Sequence, residues 1–408
     1  VRLRQLSLTH FRCYRQLALT LPDGPVVLAG QNAQGKTSLL EAVYMLATSR
    51  APHGVPDRQL IYWNAGRDET RPFSRVLGAV ERREGPLTIE LLSTLQEGES
   101  DGDGPRLVKR IQVNQASRRA MDLLGQFNVV LFTPQDLEIV AGAPAERRRY
   151  LDGLLCQVDS TYCRALSRYN QVLTQRNHLL RLIRERRGLA SELAFWDERL
   201  IQDGVLVLAR RLEATAQLEA IAVDLHERMA GGGGALSLRY HMSWNDPSVG
   251  EKGGVLADGA SLGEAAGLTR DLAADFAAAL ERSRPAQLAR GVTPVGPHRD
   301  DLSFMVGGVD MRGFGSRGQQ RTVALALKLA EARLMAQRRG DWPVVLLDDV
   351  LSELDPGRRG RLLSLLEDVD QTILTTADQA MLPTDWLRRA TLLVVEAGAV
   401  RPHVASSS

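Results

Sequence analysis

The chain has 408 residues and a formal net charge of +2 at pH 7, with 44% hydrophobic and 25% charged residues. That length allows two or three domains with full hydrophobic cores, and the composition is that of an ordinary soluble globular protein. The near-balance of charge excludes nucleic-acid binding through average charge, so any such surface must be a local patch. No run of about 18 apolar residues is present, which excludes a membrane-spanning helix. Aromatic residues, at 5%, are too few for base stacking to be the main mode of nucleic-acid recognition. Cys13, Cys156 and Cys163 form no C-x-x-C pair and read as reduced core thiols, indicating neither zinc nor a redox motif. The first residues lack the apolar stretch of a signal peptide, so a cytoplasmic protein is expected.

Residues 2–29 alternate strand-like runs with turns, and Val26-Val27-Leu28-Ala29 reads as a short buried strand. Residues 30–37, Gly-Gln-Asn-Ala-Gln-Gly-Lys-Thr, match the phosphate-binding pattern G-x-x-x-x-G-K-[ST] in full. A helical pattern follows from Ser38 to Leu46. Strand, glycine-rich loop and helix together aim backbone N–H groups and a helix N-terminus at phosphate. This assigns Gly30, Asn32, Gly35, Lys36, Thr37 and Ser38 to a nucleotide site, with ATP and Mg²⁺ as the expected cofactors. Lys36 would reach the outer phosphates and act in catalysis, and the Thr37 hydroxyl would ligate the metal. Lysine is otherwise confined to Lys109, Lys252 and Lys328, while arginine is abundant; a compact point charge in this loop suits phosphate.

Residues 73–113 hold further strand candidates, with a Gly- and Asp-rich hairpin-type loop at 97–105, and suggest an antiparallel sheet beside the nucleotide. Around residue 144 the pattern turns helical and Arg-rich, with Leu193, Trp196 and Leu200 at helical spacing. An antiparallel helix pair turning near Gly188 is expected, ending at the glycines 231–234. One strand face follows (Leu236, Leu238, Tyr240, Met242, Trp244), then a Gly/Asp-rich linker to about Gly267 and an Ala-rich helix to about Arg284. From Gly291 the αβ character resumes.

Ser316 reads as the N-cap of a helix running through Ala324, Leu327 and Leu334, and the turn 314–321 is a second anion-binding device. Taken alone it reads more readily as an ordinary capped helix. Val344-Val345-Leu346-Leu347 ends in Asp348-Asp349, the shape of a Walker B strand. Asp348 would hold the metal shell, and Asp349 would polarise the attacking water. Gln371 to Thr375 is another strand, ending in polar residues including Thr376 and Asp378. The predicted fold is α/β: a split P-loop ATPase head at 1–140 and 291–408, with a mainly α-helical arm inserted at 141–290.

This order of motifs resembles the ABC-type ATPases, within them the SMC/Rad50-related DNA-repair branch, and most closely the RecF family. The resemblance covers nearly the whole chain and rests on residues 8–14, 30–38, 131–137, 147–152, 296–302, 316–321 and 347–355. It implies that Ser316, Gly318 and Gln319 are the signature motif, contacting the γ-phosphate of an opposite subunit in an ATP-dependent head-to-tail homodimer. It places Asp355 in the D-loop, Thr376 near the catalytic switch position, Arg12 near the phosphates and Gln135 in the Q-loop. Two departures stand out: Arg317 lies between Ser316 and Gly318, and Asp349 replaces the commoner Glu, which implies slow hydrolysis.

The resemblance further implies a slow DNA-dependent ATPase of replication, recombination and repair, active in the SOS response. It would clamp double-stranded DNA at gaps or single-strand/duplex junctions, supporting RecA loading with RecO and RecR. Arg147, Arg148, Arg149, Arg184, Arg186 and Arg187 are the candidate DNA contacts, any one of which could instead be a solvated helix face. A transporter's nucleotide-binding subunit shares the Walker motifs but not this signature or insertion. A Rad50/SMC-type tether needs longer helices and a C-x-x-C hook, and a P-loop kinase would not need the Ser316 turn.

Overall fold

The structure, a computed structural model, describes residues 1–65, 72–96, 106–244 and 262–403. The expected loop at 97–105 and most of the Gly/Asp-rich linker lie outside these residues. Strands run in chain order as β1 (Arg2–Phe11), β2 (Tyr14–Thr20), β3 (Gly24–Ala29), β4 (Phe73–Arg82), β5 (Gly85–Gln96), β6 (Arg106–Val113), β7 (Ala116–Arg118) and β8 (Val129–Phe132). They continue as β9 (Leu236–His241), β10 (Asp301–Val306), β11 (Val309–Asp310), β12 (Val344–Asp348), β13 (Gln371–Thr376), β14 (Thr391–Glu396) and β15 (Ala399–Pro402). The principal helices are α1 (Lys36–Thr48), α2 (Pro144–Val158), α3 (Ser160–Arg184), α4 (Leu193–Ala230), α5 (Leu262–Arg282), α6 (Arg317–Arg339) and α7 (Pro356–Leu365).

The chain divides into two compact units, Val1–Asp136 with Lys328–Ser408, and Leu137–Leu327. In the first, an antiparallel sheet has the order β2-β1-β4-β5-β6-β7. Its β4 alternates buried and half-buried residues, as a sheet with one packed face requires. Its core is shared with α1: a Cβ at Gly78 would lie 2.4 Å from Leu46 Cδ1, so only glycine lets β4 approach the helix this closely.

The second sheet of this unit has the order β15-β14-β3-β13-β12-β8. Its strands β14, β3, β13, β12 and β8 are parallel, and every residue of β8 and β13 is buried. Parallel strands covered on both faces become continuous apolar runs, which is what makes β3 and β12 legible in sequence. The register pairs Thr376 with Ala29 and Asp348 with Thr375. The carboxyl ends of β3, β13 and β12 therefore share one edge, where ligands bind in open α/β sheets.

The unit Leu137–Leu327 is mainly helical. The ion pairs Arg176–Asp197 (2.7 Å) and Arg168–Asp203 (2.6 Å) tie α3 to α4, one nearer and one further from the connecting turn, so the two helices are antiparallel. Asp159 caps α3 by accepting from the Thr161 and Tyr162 N–H groups, and α4 stops at Gly231 in the left-handed region (φ 69°). Arg211 is buried on α4, donating to Asp152 (2.8 Å), the Pro297 carbonyl (2.7 Å) and Tyr162 Oη (3.0 Å). Asp300 is fully buried and accepts from Tyr240 Oη (2.9 Å) and the Ser243 N–H (2.8 Å). Buried charges persist only when so satisfied, and these two fix residues 296–300 against the helices.

Two boundaries differ from expectation. The strand expected over 236–244 ends at His241, and Trp244 stacks on Phe276 instead (5.0 Å, 7°). Residues 291–327 were assigned to the head, yet β10 pairs with β9 from Asp301↔His241 to Val306↔Leu236 and completes a sheet of the helical unit. The division falls inside α6. Among the described residues, no helix is long and apolar enough to cross a membrane.

Candidate nucleotide site

The turn between β3 and α1 has its shape because two positions admit only glycine. A Cβ at Gly30 would stand 2.3 Å from the Val395 carbonyl oxygen of β14. Gly35 has φ 110°, and a Cβ there would meet Cys13 Sγ and Tyr14 Oη at 2.7 Å. The back of the turn is fastened to its surroundings: Tyr14 Oη donates to the Gly35 carbonyl (3.0 Å), and the Ala397 N–H donates to Gln34 Oε1 (2.7 Å). The Gly30 N–H donates to the Thr376 carbonyl (3.2 Å). No side chain caps the N-terminus of α1, so its first-turn N–H groups remain for an anion.

In front of the turn lies a cleft of about 490 Å³. Asn32, Gly35, Lys36, Thr37 and Ser38 line one side, and Asp348, Asp349 and Thr375 another. Lys36 Nζ donates to the carbonyls of Gly30 (2.6 Å) and Gln31 (2.8 Å). Burial lowers its pKa, opposed by the charges of Asp349 and Asp348. Asp348 accepts from Thr375 Oγ1 (2.8 Å) and Thr37 Oγ1 (3.0 Å). Burial raises the pKa of Asp348, and these two hydrogen bonds pull against that rise. Asp349 sits in the left-handed region (φ 51°), its N–H donating to Thr375 Oγ1 (2.9 Å).

Thr37 and Asp348 fit a magnesium ion: one hydroxyl and one carboxylate share a hydrogen bond at the cleft wall, and both are hard oxygen donors. No group of three or more His, Cys, Asp or Glu side chains suited to a metal occurs among the described residues, so further ligands would come from phosphate and water.

Arg12 lines the cleft from the turn after β1, with φ 53°. Its guanidinium makes a two-pronged pair with Glu41 of α1 (2.8 and 2.7 Å), and its N–H donates to the Leu60 carbonyl (2.7 Å). The remaining expected site residues stand elsewhere. Gln135 is exposed just beyond the end of β8, next to β12, and does not line the cleft. Thr376 is buried at the end of β13, its hydroxyl donating to the Asp378 carbonyl (2.8 Å). Asp355 caps α7 by accepting from the Arg358 N–H (2.9 Å), which lowers its pKa.

Ser316 and Gln319 are exposed at the start of α6 and form a reciprocal capping box. The Gln319 N–H donates to Ser316 Oγ (3.3 Å), and the Ser316 N–H donates to Gln319 Oε1 (2.9 Å). Gly318 is half-buried beside them.

The candidate DNA arginines need one correction. Arg147 is 1% exposed, held by both oxygens of Asp301 (2.6 and 3.0 Å) and by the Gly142 carbonyl (2.9 Å), so it is a structural cation and no surface contact. Arg148 is half-buried and donates to the Asp300 carbonyl (2.7 Å). Arg149, Arg184, Arg186 and Arg187 are exposed. The reading of Cys13 as a core thiol also changes, since this half-buried side chain lines the cleft.

Sequence reasoning missed Thr375, Glu41, Gln59, Ile61 and Trp63. Glu41 carried a signal, four residues after Thr37 and so one helical turn on. The wall formed by Gln59, Ile61 and Trp63 carried none, because it reaches the cleft only through its pairing with β1.

The family model described as "RecF/RecN/SMC N terminal domain" matches residues 2–390. The "DNA replication and repair protein RecF" of Chloroflexus aurantiacus is 45% identical over 404 residues, covering 97% of this chain and 98% of that protein. A solved structure described as the recombination mediator protein RecF with ATP, in the RecFOR pathway, has a TM-score of 0.80. It is 28% identical and covers 98% of this chain and 97% of its own. An SMC head domain from Pyrococcus furiosus, 14% identical, has a TM-score of 0.51 over 98% of this chain and 95% of its own, a likeness of fold alone.

Proposed function

The chain belongs to the RecF/RecN/SMC family, and from that premise we propose that it is a DNA-repair ATPase that dimerises on duplex DNA when it binds ATP. The observation that carries this reading is the composite wall of the cleft. The turn 30–37, the Thr37–Asp348 pair and Asp349 converge at one sheet edge, and the capped turn at Ser316, a second anion-binding device, is exposed.

ATP enters with its phosphates on the N-terminus of α1, and Lys36 gives up the carbonyls of Gly30 and Gln31 for phosphate oxygens. Thr37 and Asp348 would hold Mg²⁺, which would supply neutralisation of phosphate charge. Asp349 orients the attacking water, and its short side chain makes hydrolysis slow. Ser316, Gly318 and Gln319 of a second copy complete the site, with Asp355 at the same interface. The Ser316 hydroxyl accepts within its own helix cap, which leaves its proton to donate to a γ-phosphate. Closure by a second copy clamps duplex DNA at gaps or single-strand junctions, and hydrolysis opens it. The relatives' names support a role in repair and in a RecFOR pathway; RecR, RecO and, through them, RecA are the partners that this reading expects.

Sedimentation of the full chain with and without ATP, and with and without gapped duplex DNA, tests this. A monomer converted to a dimer by ATP, and retained on DNA only as that dimer, is expected. Lys36→Met should abolish both; a mutant that still dimerises with ATP would show the loop assignment to be wrong.

A further inference from the structure

We propose that Gln59, Ile61 and Trp63 form the base-reading wall of the cleft, with Trp63 the surface on which a purine stacks. The proposal rests on reading the cleft as a nucleotide site and adds where the base lies and how it is selected. Trp63 is 77% exposed and lines the same cleft as the phosphate-binding turn. It is the outer ring of a row. Phe73 lies against His10 (centroids 5.0 Å), His10 against Tyr62 (6.1 Å, 19°) and Tyr62 against Trp63 (5.5 Å, 27°). A base at this end of the cleft extends the row by one ring, and offset stacking favours such an addition.

The wall is also held in place. Tyr62 donates its N–H to the His10 carbonyl (2.8 Å), Arg12 donates to the Leu60 carbonyl, and Phe11 bridges Ile61. Trp63 follows directly on residues tied to β1 and stacks on one of them, Tyr62, and a ring so anchored loses little entropy on stacking.

The same wall offers little for reading the edge of a base. The Arg12 guanidinium is engaged by Glu41 and by the Gln59 carbonyl (3.4 Å). The Gln59 amide carries both a donor and an acceptor and can turn to match either purine. Ile61 and Trp63 supply apolar area. Selection therefore works through ring size: purines over pyrimidines, with adenine and guanine accepted alike.

The test measures binding of ATP, GTP, CTP and inorganic tripolyphosphate to the full chain and to Trp63→Ala and Trp63→Phe. Trp63→Ala should weaken ATP and GTP by about tenfold, the order of one base–aromatic stack, and leave tripolyphosphate unchanged. Trp63→Phe should keep most of the affinity. Tryptophan emission should be quenched by ATP but not by tripolyphosphate in the unmodified chain. Unchanged ATP binding in Trp63→Ala, an equal loss for tripolyphosphate, or CTP bound as tightly as ATP by the unmodified chain would each overturn the proposal. A preference for ATP over GTP beyond about tenfold would overturn selection by ring size, since both purines offer the same two rings to the stack. An unmodified chain that binds neither ATP nor tripolyphosphate would sink the nucleotide reading itself; tight ATP binding indifferent to Trp63 would sink only the wall.

Discussion

Asp348, the proposed metal ligand, is a carboxylate whose ionised form burial disfavours. Burial raises its pKa above the ordinary 3.8, against the hydrogen bonds from Thr375 and Thr37. A raised folded-state pKa means that the native state binds the proton more tightly than the unfolded chain. The stability this contributes is complete below the ordinary value and is lost as pH rises through the folded pKa. At neutral pH the ionised Asp348 is therefore a net burden on the fold. Asp348→Asn, whose amide oxygen can still accept from both threonines, should melt at a higher temperature than the parent at pH 7. The difference should shrink as pH falls toward 3.8, and Mg²⁺-dependent ATP hydrolysis should be lost. Thermal melts across that range decide it, and an Asn variant less stable at pH 7 would show that burial is not the dominant effect. Asp348 and Thr37 were legible because a motif names them. Thr375 was not: which of two adjacent threonines meets the acid depends on the β12–β13 register, a long-range property, and a shift of one residue exchanges their faces.

At the scale of elements, α6 carries the clearest test. Its capping box satisfies first-turn N–H groups that would otherwise be unpaired, and the helix presents Ser316 and Gln319 outward. Loss of the cap alone costs about 1 kcal/mol, which a well-packed helix of this length tolerates. Ser316→Arg should leave ATP affinity of the monomer intact and block ATP-driven dimerisation, read by nucleotide titration beside sedimentation. Loss of nucleotide affinity would instead place the turn at its own chain's ATP. The start of this helix and the strands feeding the site were readable from local chemistry: Ser316 three residues before Gln319, and apolar runs before glycine and aspartate. The allegiance of residues 291–327 was not. It is decided by the pairing of β10 with β9, strands far apart in sequence whose mutual preference no local pattern records.

The molecule as a whole carries a charge of only +2, so the proposed DNA contact would have to be local, and composition does not say which arginines would supply it. Burial separates them. Arg149 is exposed, with Glu146 its nearest acid (2.5 Å), whereas Arg147, two residues earlier on α2, is enclosed by Asp301 and backbone carbonyls. A helix that turns one arginine inward and the next outward needs no more than its own periodicity, but which face is inward follows from packing that the spacing of arginines does not reveal. The two should therefore fail differently. Arg149→Ala should leave the melting temperature nearly unchanged and weaken duplex binding by the ATP-bound dimer evenly across sequences. If it meets a phosphate, the slope of log affinity against log salt should fall by about 1. Arg147→Ala strips a buried cation from Asp301 and should destabilise the fold on the order of 3 kcal/mol, with no change in salt slope for the protein that remains folded. Denaturant melts and salt titrations of both variants separate the two roles. A salt slope altered by Arg147→Ala would reverse the assignment, and a slope untouched by either variant would send the DNA path elsewhere, to the exposed Arg184 at the end of α3 and Arg186 and Arg187 in the turn after it.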